Sequence, residues 1–206
     1  GITFVLFILF LVLQLNAKRY IPTLFWLVII GTTTFGTEIS DFIDRSLHLG
    51  YAWGSLLLFS GLIITLILWY KTYGNIDVEP MIERKKEIYF WIAVLFSNSL
   101  GTAFGDFLGD NLGLSYLQGA LITGIIIIFV VLLYYFTKIN QIVLFWIAFI
   151  FTRPLGATFG DFLTKPIEKG GLDLGTLNAS LVSILLMAIL IFLTNQNHSK
   201  NIQNPL

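Results

Sequence analysis

Long apolar runs, broken by short charged or polar stretches, fill the chain from end to end. A spanning helix needs about 20 apolar residues to cross about 30 Å of hydrocarbon. On that measure the pattern predicts seven helices, at residues 1–15, 22–43, 52–71, 88–108, 115–137, 141–163 and 175–194. Most breaks run three to twelve residues, the lengths that join antiparallel neighbours. The longest, KTYGNIDVEPMIERKKE, mixes both signs of charge and is expected on a membrane surface. The tail NQNHSKNIQNPL is polar and expected to fray. The expected fold class is all-α: a polytopic transmembrane helical bundle of seven spans, forming one domain over residues 1–206.

The polar positions inside these runs are not random. TTTFGTEISDF, SNSLGTAFGDF and TRPLGATFGDF begin at residues 32, 97 and 152. Each follows a Phe-Trp pair. Trp26, Trp91 and Trp146 stand ten residues before Gly36, Gly101 and Gly156, and each glycine stands five before Asp41, Asp106 and Asp161. A second apolar helix follows every time. The unit is therefore helix–loop–helix, repeated three times, and residues 1–15 look like the second half of an earlier copy. An even number of spans per unit gives every copy the same orientation, so the repeats are parallel about an axis along the membrane normal.

Composition agrees: 56% of residues are hydrophobic and 12% charged, which excludes a soluble or disordered chain. No cysteine is present, so disulfide and thiolate chemistry are out, and His48 and His198 do not have a metal-site spacing. Lys18, Arg19, Lys71, Arg84, Lys85, Lys86, Lys138 and Lys200 fall on one side of the predicted bundle. Arg45, Lys165 and Lys169 fall on the other. By the positive-inside rule the first side, with the C-terminus, is expected to be cytoplasmic.

With its Trp-containing helix pairs and TRPLGATFGDFLTKP as a last repeat, the chain resembles a family of uncharacterised bacterial membrane proteins. That family is built from four tandem repeats of two membrane helices with a characteristic tryptophan, which Trp26, Trp91 and Trp146 match. The resemblance covers essentially the whole chain and implies a multi-pass protein of the bacterial inner (plasma) membrane. It departs at the front, where the pattern implies one more helix with its own motif. No substrate or catalytic residue comes with it.

At 100° per residue, Ser99, Thr102 and Asp106 form one polar stripe, repeated as Thr34, Thr37 and Asp41. In the last copy only Asp161 remains of it. A neighbouring face carries Gly36/Ser40, Gly101/Gly105 and Gly156/Gly160, small residues four apart that let membrane helices approach closely. The three tryptophans are expected as anchors at the membrane interface. Asn98 and Arg153 fall at the middle of their helices. The three aspartates lie about 12 Å further along, near the outer boundary. They either order helix ends or line a polar pathway. Arg153 either satisfies backbone carbonyls, such as that of Ile150 freed by Pro154, or is a buried cation paired with Asp41, Asp106 or an acid on the absent helix. Asp161 is a poor partner, because helical side chains lean away from it. Glu38 has no counterpart in the other copies; it either makes one site unequal to the others or pairs with Arg45.

The leading functional expectation is a transporter or permease moving a small ion or solute past Asp41, Asp106, Asp161, Arg153, Asn98, Thr34, Thr37, Ser99 and Thr102. The acids favour a cation, proton-coupled or a divalent ion held by oxygens, while Arg153 keeps an anion or zwitterion open. The alternative is a non-catalytic scaffold or subunit of a larger membrane complex. An enzyme is not expected, since no Ser/His or His/Glu/His arrangement lies in a span. Neither is a cofactor, and the one short basic cluster gives nucleic-acid binding no support.

Overall fold

A computed structural model describes residues 1–17, 19, 21–76, 83–186 and 189, the Lys169 side chain excepted. Lys18, Lys200, His198, the polar tail and most of the span expected beyond residue 186 lie outside the described residues. So do residues 77–82 of the long connection.

The described residues hold helices and no strand. They are α1 (Ile2–Asn16), α2 (Pro22–Asp41), α3 (Gly50–Tyr73), α4 (Arg84–Asp106), α5 (Tyr116–Phe136), α6 (Gln141–Thr164) and α7 (Gly175–Leu186). Local chemistry explains several ends. Pro22 opens α2, where its missing N–H costs nothing. Ser115 and Gln118 form a reciprocal capping box on α5, at 3.3 and 2.9 Å. The Asn140 side chain accepts from the Ile142 N–H at 2.8 Å and starts α6. Gly74, at φ 74°, closes α3 by donating to the Tyr70 carbonyl at 2.7 Å.

Among the described residues four helical stretches are long and apolar enough to cross a membrane: Gly50–Tyr73, Arg84–Asn111, Tyr116–Phe136 and Gln141–Thr164. Helix α2 is not one of them, although it has 20 residues, because Thr32–Thr34 and Glu38 dilute its apolar character. Helices α2 and α4 each continue into one π-helical turn, Phe42–Ser46 and Phe107–Asn111. The following turns match as well. His48 and Gly113 occupy equivalent positions, both left-handed, at φ 53° and 63°. Helix α6 ends differently, in a 3-10 turn at Ile167–Lys169.

The packing order departs from the sequence unit. The repeat pattern pairs α2 with α3 and α4 with α5, yet beyond their turns these pairs scarcely touch. Instead α1 lies on α2, α3 on α4 and α5 on α6, so the second helix of each unit rests on the first helix of the next. The motif helices α2, α4 and α6 form an arc, with α4 in contact with both neighbours. Accordingly 56% of the apolar window of α4 is buried, against 22–28% for the other three long stretches. The core gathers toward the N-terminal halves of these helices. Trp69 meets Trp146 edge-on at 6.1 Å, and Trp91 packs against Phe25 and Phe90 at 5.3 and 5.0 Å.

Candidate functional site

Two polar layers cross the arc of motif helices. The first lies at mid-helix and is built on glycine. A Cβ on Gly36 would meet the Ser99 nitrogen at 3.1 Å and the Asn98 Cβ at 3.2 Å, so α2 rests on that part of α4. One step along the arc the same contact recurs, since a Cβ on Gly101 would collide with the Arg153 side chain and meet the Pro154 Cδ at 3.2 Å. Asn98 and Arg153 hold equivalent positions in the motif. Each therefore sits over the glycine of the preceding unit.

At this depth several polar groups bond across the helices. The Asn98 amide donates to Thr32 Oγ1 at 3.1 Å, and Thr37 and Thr102 hydroxyls lie 3.4 Å apart. Arg153 reaches past Gly101 and donates from its guanidinium to the Thr33 carbonyl of α2 at 3.1 Å. The carbonyl that Arg153 meets is thus that of Thr33 on another helix, in place of Ile150. Among the described residues no carboxylate lies within ion-pair distance of it, and its Nε is buried without a partner. Such a cation, desolvated and under-satisfied, is costly in hydrocarbon.

The second layer lies where α4 and α6 end. A cavity of ≈ 190 Å³ is lined by Asp106, Asp110, Asp161, Arg45, Lys165 and Thr158, among others. In the outer units the motif aspartate has a cation one turn later: Arg45–Asp41 at 3.4 Å and Lys165–Asp161 at 3.8 Å. In the middle unit that position is Asp110. Asp106, on the most buried helix, thus has an acid where its counterparts have a base, and among the described residues no ion pair within 4 Å. Arg45 reaches the same cavity from the first unit. Neither Asn98 nor Arg153 lines it, so the two layers are separate. Among the described residues no group of three or more His, Asp and Glu is placed to hold a metal ion.

The polar stripe is assembled only in part. Asp106 and Asp161 share the cavity, but Asp41 does not line it. Thr37, Thr102 and Ser99 lie along the α2–α4 contact, where Ser99 is turned to the Leu95 carbonyl. Thr34 is exposed and bonded to its own helix at the Ile30 carbonyl. Of the small-residue pairs, Gly36/Ser40 and Gly101/Gly105 are buried, while a Cβ on Gly156 or Gly160 would meet nothing within 4 Å. The expected close packing at those two positions therefore has no partner helix among the described residues. The tryptophans also divide. Trp26 is 61% exposed, as an interfacial side chain would be, but Trp91 and Trp146 are 2% and 3% exposed and belong to the core. Glu38 does not pair with Arg45; both its oxygens accept from Thr3 Oγ1 of α1, at 2.6 and 2.7 Å.

Some polar residues escaped the sequence reading. Glu87, 8% exposed, accepts from Gln14 of α1 at 2.8 Å and from the Trp91 indole at 3.3 Å. Asp44 is buried in the first π turn with Ser40 at 3.2 Å. Asp110 and Lys165 were missed as well, although aligning the positions four beyond each motif aspartate reveals the exchange of base for acid. A larger cavity, ≈ 680 Å³, is a separate apolar groove between α3, α4 and α6, with Phe59, Phe104, Ile147 and Phe151 in its walls.

No curated protein and no solved structure matches the chain. One family model does, three times in tandem, at residues 24–75, 89–140 and 144–195, each match spanning a motif helix and the helix after it. Those matches cover most of the chain and coincide with the units traced through Trp26, Trp91 and Trp146, and the chain belongs to the family described as Repeat of Unknown Function (DUF347).

Proposed function

We propose that the chain is a multi-pass protein of the bacterial inner membrane, with its C-terminus in the cytoplasm, and that it moves a small ion or solute without catalysing a reaction. A further motif helix ahead of α1 completes a fourth unit. Transport is carried by one observation. The ≈ 190 Å³ polar cavity sits at the C-terminal ends of α4 and α6, in a fold otherwise walled by apolar side chains, and the carboxylate of its most buried helix lacks the cation its counterparts have. Ionisable groups within spanning segments are by default pathway groups. In the proposed orientation the cavity is an external mouth. Trp69, Trp91 and Trp146 seal the cytoplasmic half, as expected of a conformation open on one side.

The test is flux of protons, monovalent cations and Mg²⁺ into liposomes, read with ion-sensitive dyes, for the unmodified chain and for Asp106→Asn and Arg153→Ala. Transport requires both variants to lose flux; unchanged flux in both refutes it. A second reading, a non-catalytic scaffold or subunit of a larger complex, is favoured by the mid-helix layer. There Asn98 is 4% exposed and hydrogen-bonded to Thr32, and the polar cavity does not continue down to it.

A further inference from the structure

The contact between motif helices is directional, and it is interrupted at both ends of the arc. On α4 two adjacent faces are in use: Asn98 and Ser99 receive Gly36 of α2, while Gly101 and Gly105 receive α6. Helix α6 offers the same second face in Gly156 and Gly160, and among the described residues nothing meets it. Helix α2 offers the same first face, and there Thr34 is exposed, although its counterparts Ser99 and Pro154 are 1% and under 2% exposed. The two unused halves of one contact thus lie at the two ends of the arc. Those ends are close, because a single arginine side chain spans from α6 to the Thr33 carbonyl. Packed helices stand about 8–10 Å apart, so the opening opposite α4 is the width of one helix.

The outer helices agree. Helices α3 and α5 each lie on the motif helix of the next unit, as α1 does. Helix α7 is the second helix of the last unit, yet Leu177, Leu181, Ile184 and Leu185 on it are 56–75% exposed. Among the described residues nothing covers these side chains, whereas α1, α3 and α5 each rest on a motif helix.

We infer that the segment of the chain preceding Gly1 forms a helix that seats in this opening, with Gly156 and Gly160 on one side and Thr34 on the other. It closes the arc into a ring of four motif helices around Arg153. The occupant is identified by its contacts. A hydrogen-bonding or cationic residue at the position of Asn98 and Arg153 sits over Gly156, and a small residue faces Thr34. Its C-terminal end stands beside Gly1, because motif helices end where the next outer helix begins. The inference rests on the four-unit membrane reading above and adds where the extra helix sits and which residues hold it.

The test compares residues 1–206 with the chain extended upstream, each carrying Gly156→Ile or Gly101→Ile, by thermal unfolding in detergent. Crowding a formed helix contact lowers the melting temperature by about 5 °C or more. Gly156→Ile is expected to do so in the extended chain and to leave residues 1–206 unaffected; an equal response in both overturns the proposal. Gly101→Ile is expected to destabilise both; if it is silent, the packing rule itself fails and takes the four-unit reading with it. Because the chain has no cysteine, Thr34→Cys with Gly156→Cys tests the competing occupant. Oxidative linkage between two extended chains through these positions would seat a second copy there and overturn the assignment to the preceding segment.

Discussion

Replacing Arg153 by methionine separates its two roles, because the structure gives them opposite signs for stability. Methionine keeps an unbranched stem against Gly101 and has nearly the helix propensity of arginine. What is lost is one charge-assisted hydrogen bond to the Thr33 carbonyl, about 1.5–3 kcal/mol. That carbonyl also accepts from Thr37 Oγ1 at 3.1 Å, so it is not orphaned. What is gained is removal of a cation whose Nε has no partner, at a depth where insertion of arginine costs about 2.5–3.5 kcal/mol. The terms nearly cancel, and Arg153→Met is expected within about 1 kcal/mol of the unmodified chain. Arg153→Ala also strips the stem from Gly101 and opens a cavity, which costs a further 2 kcal/mol or so. The assay is equilibrium unfolding in mixed micelles, with liposome flux measured on the same preparations. A loss above about 3 kcal/mol in Arg153→Met would refute this accounting and make Arg153 a structural tie. Unaltered stability with abolished flux is the expected result.

Three further outcomes follow from particular contacts. Asp106→Asn is expected to reduce liposome flux at least tenfold, and Asp41→Asn to leave it within about twofold, because Asp41 is paired with Arg45 and does not line the cavity. Trp91→Ala is expected to cost about 3–5 kcal/mol in micelle unfolding, since Trp91 is buried between Phe25 and Phe90. Trp26→Ala, at an exposed position, is expected to cost less than about 1 kcal/mol in the same assay. Ser115→Ala removes the α5 cap and is expected to lower stability by about 1 kcal/mol in micelle unfolding.

Helix positions were legible in the sequence because apolar run length and charged breaks set them; six of the seven expected helices begin and end within four residues of the described ones, if the π turns are set aside. The repeat was legible because Trp, Gly and Asp recur without a gap. Helix neighbours were not. Hydrophobic stretches that are apolar on every side carry no face to mark the partner, so hairpin pairing was the natural expectation for α2 and α3. The chain instead turns through a π segment and lays α3 on α4. Trp91 and Trp146 misled for a related reason. Tryptophan suits a membrane interface and a helix core equally by chemistry, and only the neighbouring rings, Phe90 and Trp69, decide. Glycine spacing coincides with close approach at Gly36 and Gly101, where a partner helix is described, and at Gly156 it marks a face without one among the described residues.

The offset packing has a consequence for how the repeats hold together. If each unit packed as its own hairpin, the units would be separable bodies joined by loops, and an interface between them would be free to slide. Here α3 and α5 are each covalently part of one unit and packed on the next, so both described interfaces between motif helices are bridged by a third helix. Gly36 and Gly101 fix the depth of those interfaces, because a backbone that sits against Asn98 or Arg153 has no room to shift along the helix. An arc tied in this way is rigid at mid-helix. At the C-terminal ends, by contrast, the helices unwind into π turns around charged groups that face a cavity. π turns are interruptions of the regular hydrogen-bond ladder and tend to mark functional positions. Both begin at the residue after a motif aspartate, in the two units whose turns match. On the proposed transport reading, a rearrangement that admits a solute to Asp106 is carried first by these ends.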